Sequence, residues 1–171
     1  YERNAYIERL SPLCEEAHSL ITGGKESIKI ESEQKFEGTE SEIADAFEKA
    51  LADRAEKDTD LGDTSIGPHR DDLKIKVDGT DVKTYGSQGQ QRTAALALKL
   101  AETEIFKERY GEYPVLILDD AMSELDRGRR KRLIDGVKKM QTIIPCTEPD
   151  CVPDYDKYKN VFIENGKIIK E

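Results

Sequence analysis

The sequence has no tryptophan, two histidines and three cysteines among its 171 residues. The cysteines, Cys14, Cys146 and Cys151, form an odd set, which argues against the disulfide framework of a small secreted domain. Cys146 and Cys151 have no histidine nearby and therefore make a poor zinc site. No apolar run approaches the roughly 20 residues of a membrane-spanning helix, and no signal peptide is visible. We therefore expect a cytoplasmic protein without a membrane partner.

The balance of charge is acidic. The formal net charge is −9, and 37% of the residues are charged against 36% that are apolar. Binding to duplex DNA depends on Lys and Arg that neutralise phosphates, so this balance argues against a nucleic-acid footprint over the whole surface. The densest basic run, residues 127–132, fits a solvated helix face and a contact to DNA or an acidic partner equally well.

The spacing of apolar residues predicts the order of helices and strands. We predict helices over residues 1–21, 40–57 and 87–110 and after residue 126, and strands over 27–36, 73–77, 82–85, 115–118 and 142–144. The second helix should turn one apolar stripe inward, and the uniformly apolar strand 115–118 should be buried on both faces of a parallel sheet. A terminal hairpin should turn at Asn165-Gly166. The alternation of strands and helices from about residue 73 onward indicates an α/β fold.

The long helix over residues 87–110 has a distinctive start. Ser87 and Gln90 have the spacing of a capping box, in which each side chain bonds to the backbone N–H of the other residue. The same geometry suits an anion, because a helix N-terminus with Gly89 in its first turn offers N–H groups and the positive end of the helix dipole. Capping and phosphate binding are compatible, and the spacing alone leaves both open.

Two adjacent carboxylates follow the strand 115–118. Asp119 and Asp120 come directly after Val-Leu-Ile-Leu, at the carboxyl end of the strand, where open α/β sheets bind ligands. Carboxylate oxygens are hard ligands that suit Mg²⁺ bound together with phosphates. The alternative interpretation is a solvated strand end. Asp126, farther along, is of the residue type that caps the next helix.

Both stretches resemble the RecF family of ABC-type ATPases, which is related to SMC proteins. The first runs Tyr-Gly-Ser-Gln-Gly-Gln-Gln-Arg from Tyr85, and the second ends Leu-Asp-Asp-Ala-Met-Ser-Glu-Leu-Asp at Asp126. They are similar to the signature, Walker B and D-loop segments of that family, and Gly-Pro-His-Arg at residues 67–70 is similar to a stretch upstream of the signature. The resemblance implies the α/β signature lobe of an ABC-type ATPase head, with a partly parallel sheet flanked by helices and a helical arm segment before it.

The resemblance also implies a role for each motif. Residues 87–90 would contact the γ-phosphate of ATP held by the opposite subunit, so that ATP joins a homodimer. Asp119 would be the Walker B ligand of Mg²⁺, and Asp120 occupies the place where most ABC ATPases have a catalytic Glu that polarises the attacking water. The D-loop, residues 123–126, would cross the dimer interface. The implied site residues are Ser87, Gln88, Gly89, Gln90 and Asp126 for the nucleotide, Asp119 for Mg²⁺ and Asp120 for catalysis.

One motif of the family is missing. No Gly-x-x-x-x-Gly-Lys-[Ser/Thr] occurs in the sequence, so the loop and the lysine that hold phosphates are absent. The family has that loop in an N-terminal segment, and this sequence starts at Tyr1 with the pattern of a helix interior. We therefore expect a C-terminal portion that is inactive alone as an ATPase. Its predicted parts are the end of a helical arm (1–24), a connecting strand and helix (25–62) and the C-terminal lobe (63–171).

For the intact protein, the resemblance implies a role in DNA replication, recombination, repair and the SOS response. It implies binding of ATP and of DNA at gaps or single-strand/double-strand junctions, with RecR as a partner and RecO and RecA downstream. Two alternatives are open: the head of another SMC-like ATPase, such as a RecN type, and a non-catalytic module that recruits a partner. The switch position of ABC proteins is assigned to Thr147. His69 and Arg70 fit a phosphate contact and a hydrogen-bonded turn equally well, whereas we expect His18 on a helix surface.

Overall fold

The computed structural model describes residues 2–33, 36, 38–148 and 151–170. The helices are α1 (Glu2–Thr22), α2 (Glu40–Leu61), α3 (Val82–Tyr85), α4 (Gln88–Tyr110) and α5 (Arg127–Val137). The strands are β1 (Ile28–Glu33), β2 (Asp72–Val77), β3 (Thr80–Asp81), β4 (Leu116–Ile117), β5 (Thr142–Ile143), β6 (Phe162–Glu164) and β7 (Lys167–Lys170). Short 3-10 helices lie at Pro68–Arg70 and Tyr155–Lys157. None of the helices in the described ranges combines the length and the apolar character that crossing a bilayer requires.

Helix α1 lies along α4 and takes part in both halves of the core. In the first half, apolar side chains of α1 pack with those of β1, β2 and α4, around Leu10 and Ala97. In the second half, the end of α1 packs with β4 and α5, around Ile21, Leu116 and Leu133. These contacts cross the predicted boundaries after residues 24 and 62, and the three-part division of the chain stays a prediction.

Strands β1, β2 and β3 form an antiparallel sheet in which Ile28 pairs with Val77. Asp78 and Gly79 form the turn between β2 and β3, with left-handed φ angles of 50° and 78°. The predicted strand over residues 82–85 is wrong, because these residues form the one-turn helix α3. Asp81 favours the helix, since its side chain accepts a hydrogen bond from the N–H of Thr84 at 2.9 Å and so caps it.

Helix α2 is well capped but covers little of the molecule. Thr39 and Glu42 form a capping box, and Gly62 ends the helix with a φ of 65°, beyond the predicted end at residue 57. No residue of α2 is buried, and the stripe that we predicted to face inward is at most half-buried. That prediction is wrong because, among the described residues, no helix or strand packs closely along α2.

Strands β4 and β5 run parallel, as predicted. Leu116 and Leu118 are buried, but Val115, Ile117 and Ile143 are 54%, 62% and 49% exposed. Burial on both faces is therefore wrong for the part of the chain that the structure describes, in which α4 and α5 pack against one face. The N–H of Leu118 donates to the carbonyl of Ile143 at 2.9 Å, so the pairing continues up to the two predicted carboxylates.

The described chain ends in an antiparallel hairpin of β6 and β7, as predicted. Asn165 and Gly166 form its turn with φ angles of 49° and 74°. Both angles lie in the left-handed region that a tight two-residue hairpin turn requires, which explains why this pair of residue types predicted the hairpin.

Candidate functional site

Residues 87–90, called the signature turn below, form the N-terminal end of α4. The predicted capping box is present: the N–H of Gln90 donates to Ser87 Oγ at 3.2 Å, and the N–H of Ser87 donates to Gln90 Oε1 at 3.0 Å. Gln88 and Gly89 lie in the first turn, where a helix has no internal acceptor for N–H groups. A Cβ built on Gly89 would meet the Glu124 carbonyl oxygen at 4.0 Å and otherwise open space. The turn can therefore present backbone donors to an anion.

Asp119 and Asp120 follow β4 with exposed side chains. Asp120 has a φ of 54°, a left-handed conformation that costs a non-glycine residue about 1–3 kcal/mol and that Asp tolerates better than most residues. Its carbonyl oxygen accepts a hydrogen bond from Arg92 and another from Ser123 Oγ, the latter at 3.0 Å. The backbone of Asp120 is thus held on two sides, while its carboxylate faces outward at the carboxyl end of the strand.

The D-loop after these carboxylates is anchored from inside. Met122 and Leu125 are each 3% exposed, whereas the two residues between them are exposed. Asp126 begins α5 as predicted, since its Oδ1 accepts a hydrogen bond from the N–H of Arg129 at 2.9 Å. This backbone hydrogen bond lowers the pKa of the Asp126 carboxyl. Asp126 is therefore a helix cap here, and its role toward a nucleotide stays a prediction.

Arg92 joins α4 to the segment that follows β4. Its Nη2 donates to the Asp120 carbonyl, and its Nε lies 4.0 Å from Glu124 Oε2. The approach of Gly89 to the Glu124 carbonyl places the start of α4 beside the same loop. Within the described ranges, no group of three or more His, Cys, Asp or Glu side chains could hold a metal. The side chains of Asp119 and Asp120 can therefore supply only part of a Mg²⁺ ligand set.

Known proteins are similar in sequence to this chain across nearly its whole length. No protein-family model matches the chain. The chain is 44% identical over 168 residues to the DNA replication and repair protein RecF of Clostridium perfringens (strain SM101 / Type A), a match that covers 97% of this chain and 46% of that protein. It is 40% identical over 172 residues to the RecF of Clostridium beijerinckii, covering 99% of this chain and 47% of that protein. The chain is similar to RecF over nearly its whole length.

Solved RecF structures have the same fold. A structure described as the recombination mediator protein RecF-ATPrS in the RecFOR pathway matches with a TM-score of 0.69 and 38% identity, over 88% of this chain and 41% of that chain. A RecF-ATP structure of the same pathway matches with a TM-score of 0.68 and 38% identity. The chain spans about half the length of the curated RecF relatives it matches. The predicted likeness to a C-terminal portion of RecF and the predicted α/β fold class are confirmed.

His18 is not on the surface of α1, contrary to our prediction. It is 0% exposed, and its Nε2 lies 4.0 Å from Glu26 Oε2. Among the described residues, neither ring nitrogen has a hydrogen-bond partner of normal geometry. Burial lowers the pKa of His18 against the opposing effect of Glu26. The buried stripe of Leu10, Cys14 and Ile21 passes through position 18, and this spacing is the sequence signal that places His18 inside.

Three arginines of the basic run donate hydrogen bonds to backbone carbonyl groups of the protein. Arg130 Nε donates to the Leu125 carbonyl at 2.7 Å and so holds the D-loop. Arg132 Nε donates to the Ile21 carbonyl at 2.8 Å, and Arg129 bonds to the signature turn. These hydrogen bonds show that the three residues are not simply a solvated face, and the contact to DNA or an acidic partner stays a prediction. The acceptors of Arg129 and Arg132 are too distant in sequence to be predicted, whereas Arg130 bonds five residues back. Two basic residues of the run are exposed, Arg127 and Lys131.

The Gly-Pro-His-Arg stretch forms a hydrogen-bonded turn. His69 Nε2 lies 3.1 Å from the carbonyl oxygen of Thr64, and Arg70 Nε donates to the same oxygen at 3.1 Å. Arg3 of α1 donates to the Pro68 carbonyl at 2.6 Å. These contacts support the interpretation of this stretch as a hydrogen-bonded turn. The assignment of the switch position to the exposed Thr147 stays a prediction.

Proposed function

We propose that this chain supplies two half-sites for ATP in a DNA-repair ATPase that forms a homodimer when it binds ATP. The observation that carries the proposal is that the signature turn lies beside the D-loop, where a Cβ built on Gly89 would lie 4.0 Å from the Glu124 carbonyl oxygen and otherwise meet open space. The signature turn would serve the ATP of the opposite subunit. Asp119 and Asp120 would serve the ATP held by the phosphate loop of their own subunit.

The physics of a helix start supports the first half-site. The N–H groups of the first turn and the helix dipole favour a negative charge, and Gly89 has no side chain to keep a phosphate away. Ser87 and Gln88 are exposed, so a second subunit can reach the turn. Since the capping box already holds the turn in shape, ATP would meet preorganised donors and would lose little free energy in ordering them.

The carboxylates after β4 support the second half-site. Mg²⁺, when bound, neutralises charge on the phosphates. Asp119 would hold it, directly or through water, because a carboxylate at the carboxyl end of a parallel strand is a suitable hard ligand. Asp120 would orient and polarise the attacking water, and its side chain is one methylene shorter than the Glu usual at this place. The shorter arm fits the slow hydrolysis of a molecular switch.

The partners of the intact protein are inferred from its relatives. Those relatives are called DNA replication and repair proteins, and the solved RecF structures are placed in the RecFOR pathway. We infer that the intact protein binds DNA at gaps or single-strand/double-strand junctions, interacts with RecR, and helps RecO and RecA to act there. A cytoplasmic location fits the three cysteines, which are free. The alternative of another SMC-like head loses support, because the match to RecF, at 44% identity, covers 97% of the chain.

Dimerisation of a full-length RecF that carries this segment tests the proposal. Ser87→Arg places a long cation where the partner's γ-phosphate would lie and blocks the turn sterically. We expect this variant to stay monomeric at ATP concentrations that dimerise the wild type, as measured by analytical ultracentrifugation. Ser41→Arg, the same substitution on the exposed face of α2, is the matched control and should dimerise normally.

Two results would contradict the proposal. If Ser87→Arg dimerises like the wild type, the signature turn does not bind the partner's ATP. If Asp119→Ala and Asp120→Ala each leave ATP turnover and its dependence on Mg²⁺ unchanged, neither carboxylate serves the metal or the reaction. The chain would then be better described as a non-catalytic module that recruits a partner.

A further inference from the structure

Arg129 lies at the centre of a polar cluster beneath the signature turn. Its Nη1 donates to Thr93 Oγ1 at 2.7 Å and to the Gly89 carbonyl at 3.3 Å. Its Nη2 donates to Glu26 Oε1 at 2.6 Å. The side chains of Arg129 and Glu26 are each 17% exposed, so this ion pair is largely withdrawn from water. One guanidinium thereby joins α4, α5 and the turn between α1 and β1.

The orientation of the Gly89 peptide depends on this cluster. The Gly89 carbonyl accepts one hydrogen bond from Thr93 Oγ1, at 2.7 Å, and a second from Arg129. The N–H of Gln90 belongs to the same planar peptide group and donates to Ser87 Oγ at 3.2 Å, so a contact that orients the carbonyl also orients the bond that holds the Ser87 side chain. A largely buried charge is costly to leave without a partner, which keeps Arg129 and Glu26 together.

We propose that Arg129 is a positioning residue for the nucleotide that the signature turn binds from the opposite subunit. The inference rests on the proposed function of residues 87–90. Arg129 acts through the Gly89 peptide and does not need to touch the nucleotide. Without its guanidinium the turn stays helical, because the capping box and Thr93 Oγ1 still hold it, but the peptide between Gly89 and Gln90 and the Ser87 hydroxyl bonded to it can shift by a small amount. This movement weakens the ATP-bound dimer and leaves nucleotide binding by each monomer intact.

Arg132 provides a matched control for a purely structural role. It lies on the same helix as Arg129 and is half-buried. Its Nε donates to the Ile21 carbonyl at 2.8 Å, so it also joins α5 to another element, but this bond leads to α1. If Arg129 only stabilised the fold, Arg129→Met and Arg132→Met would have the same effect on dimerisation.

Two measurements on a full-length RecF that carries this segment test the proposal. Analytical ultracentrifugation gives the ATP concentration at which half of the protein is dimeric, and a fluorescent ATP analogue gives the affinity of the monomer at low protein concentration. Arg129→Met should raise the first value about tenfold, as expected when hydrogen bonds to a charged group are lost, and leave the second unchanged. Arg132→Met should change neither. Arg129→Lys keeps a charge beside Glu26 but cannot make all three bonds, so it should recover part of the loss.

Ser87→Arg separates failure of this inference from failure of the proposed function. If Ser87→Arg abolishes the dimer while Arg129→Met dimerises at the wild-type ATP concentration, the role of Arg129 is wrong and the proposed function stands. If Ser87→Arg dimerises normally, both are wrong. Equal losses for Arg129→Met and Arg132→Met, or weaker nucleotide binding by the Arg129→Met monomer, also overturn the inference. If circular dichroism shows that Arg129→Met does not fold, Arg129→Lys and Glu26→Gln decide by the same two measurements, each with a smaller expected loss.

Discussion

Mild acidification should destabilise the folded chain through His18. Burial lowers the pKa of His18 below its ordinary 6.5; Arg129 acts in the same direction, while Glu26 and Asp78 oppose it. Burial outweighs the nearest carboxylate because Glu26 lies 4.0 Å from the ring and is already bonded to Arg129 at 2.6 Å. The unfolded chain therefore binds this proton at a higher pH than the folded chain does. The free energy of unfolding must then fall as the pH falls below the ordinary pKa of 6.5.

The magnitude follows from proton linkage at this one group. If the folded chain binds no proton at His18, the free energy of unfolding falls by about 1.2 kcal/mol between about pH 7 and about pH 5.5. The slope approaches about 1.4 kcal/mol per pH unit at the acidic end of this window. Most carboxylates titrate below the window, so the histidines dominate it. The other histidine, His69, is exposed and serves as an internal control.

Urea unfolding of the chain across this pH window measures the effect. His18→Leu replaces the ring with an apolar side chain of comparable size and should remove most of the dependence on pH. His69→Leu should retain it. The reasoning is refuted if the wild type gains stability relative to His18→Leu on acidification. That result would mean that His18 takes up a proton in the folded state and pairs with Glu26.

Three further predictions concern the packing of the core, the N-cap of α5 and ATP turnover by the chain alone. Leu133→Ala should lower the free energy of unfolding by about 2–5 kcal/mol, because Leu133 is 0% exposed in the core; a loss below about 1 kcal/mol in urea unfolding would contradict this packing. Asp126→Ala should cost about 1 kcal/mol through loss of the cap on α5, whereas Asp135→Ala on the exposed face of the same helix should cost less. The chain alone, purified free of other ATPases, should show no ATP turnover, and measurable turnover would refute the assignment of the phosphate loop to another segment.

Features that depend on neighbours in sequence could be predicted well. The capping box of Ser87 and Gln90, the cap at Asp126 and the turn at Asn165-Gly166 each involve residues within one turn of backbone. Their partners lie at fixed offsets along the chain, so the residue types alone identify the geometry. The position of the two carboxylates after β4 could be predicted for the same reason. An apolar strand followed directly by two Asp residues puts both at the carboxyl end of that strand.

Features that depend on what packs against an element could not be predicted in the same way. The stripe of α2 has the spacing of an inward face, yet no described helix or strand packs closely along it. The apolar strand around Leu116 has one pattern whether one face or both faces are covered. The residues after Asp81 were predicted wrongly for a different reason. Their apolar pattern is that of a strand, but the Asp81 side chain caps a helical turn there.

The basic run shows that some hydrogen bonds of the candidate site could not be predicted from its motifs. Arg129 contacts Thr93 and Gly89, which lie 36 and 40 residues away in sequence, and Glu26, which lies 103 residues away. Arg92 likewise reaches the backbone of Asp120, 28 residues away. A run of charges in the sequence does not reveal such acceptors, so it fits a solvated surface equally well. Arg129 lies outside the recognised motifs, so the hydrogen bonding of the signature turn depends in part on a residue that those motifs do not contain. Arg92 lies within the signature stretch, but its bond to Asp120 connects two motifs that the sequence presents separately.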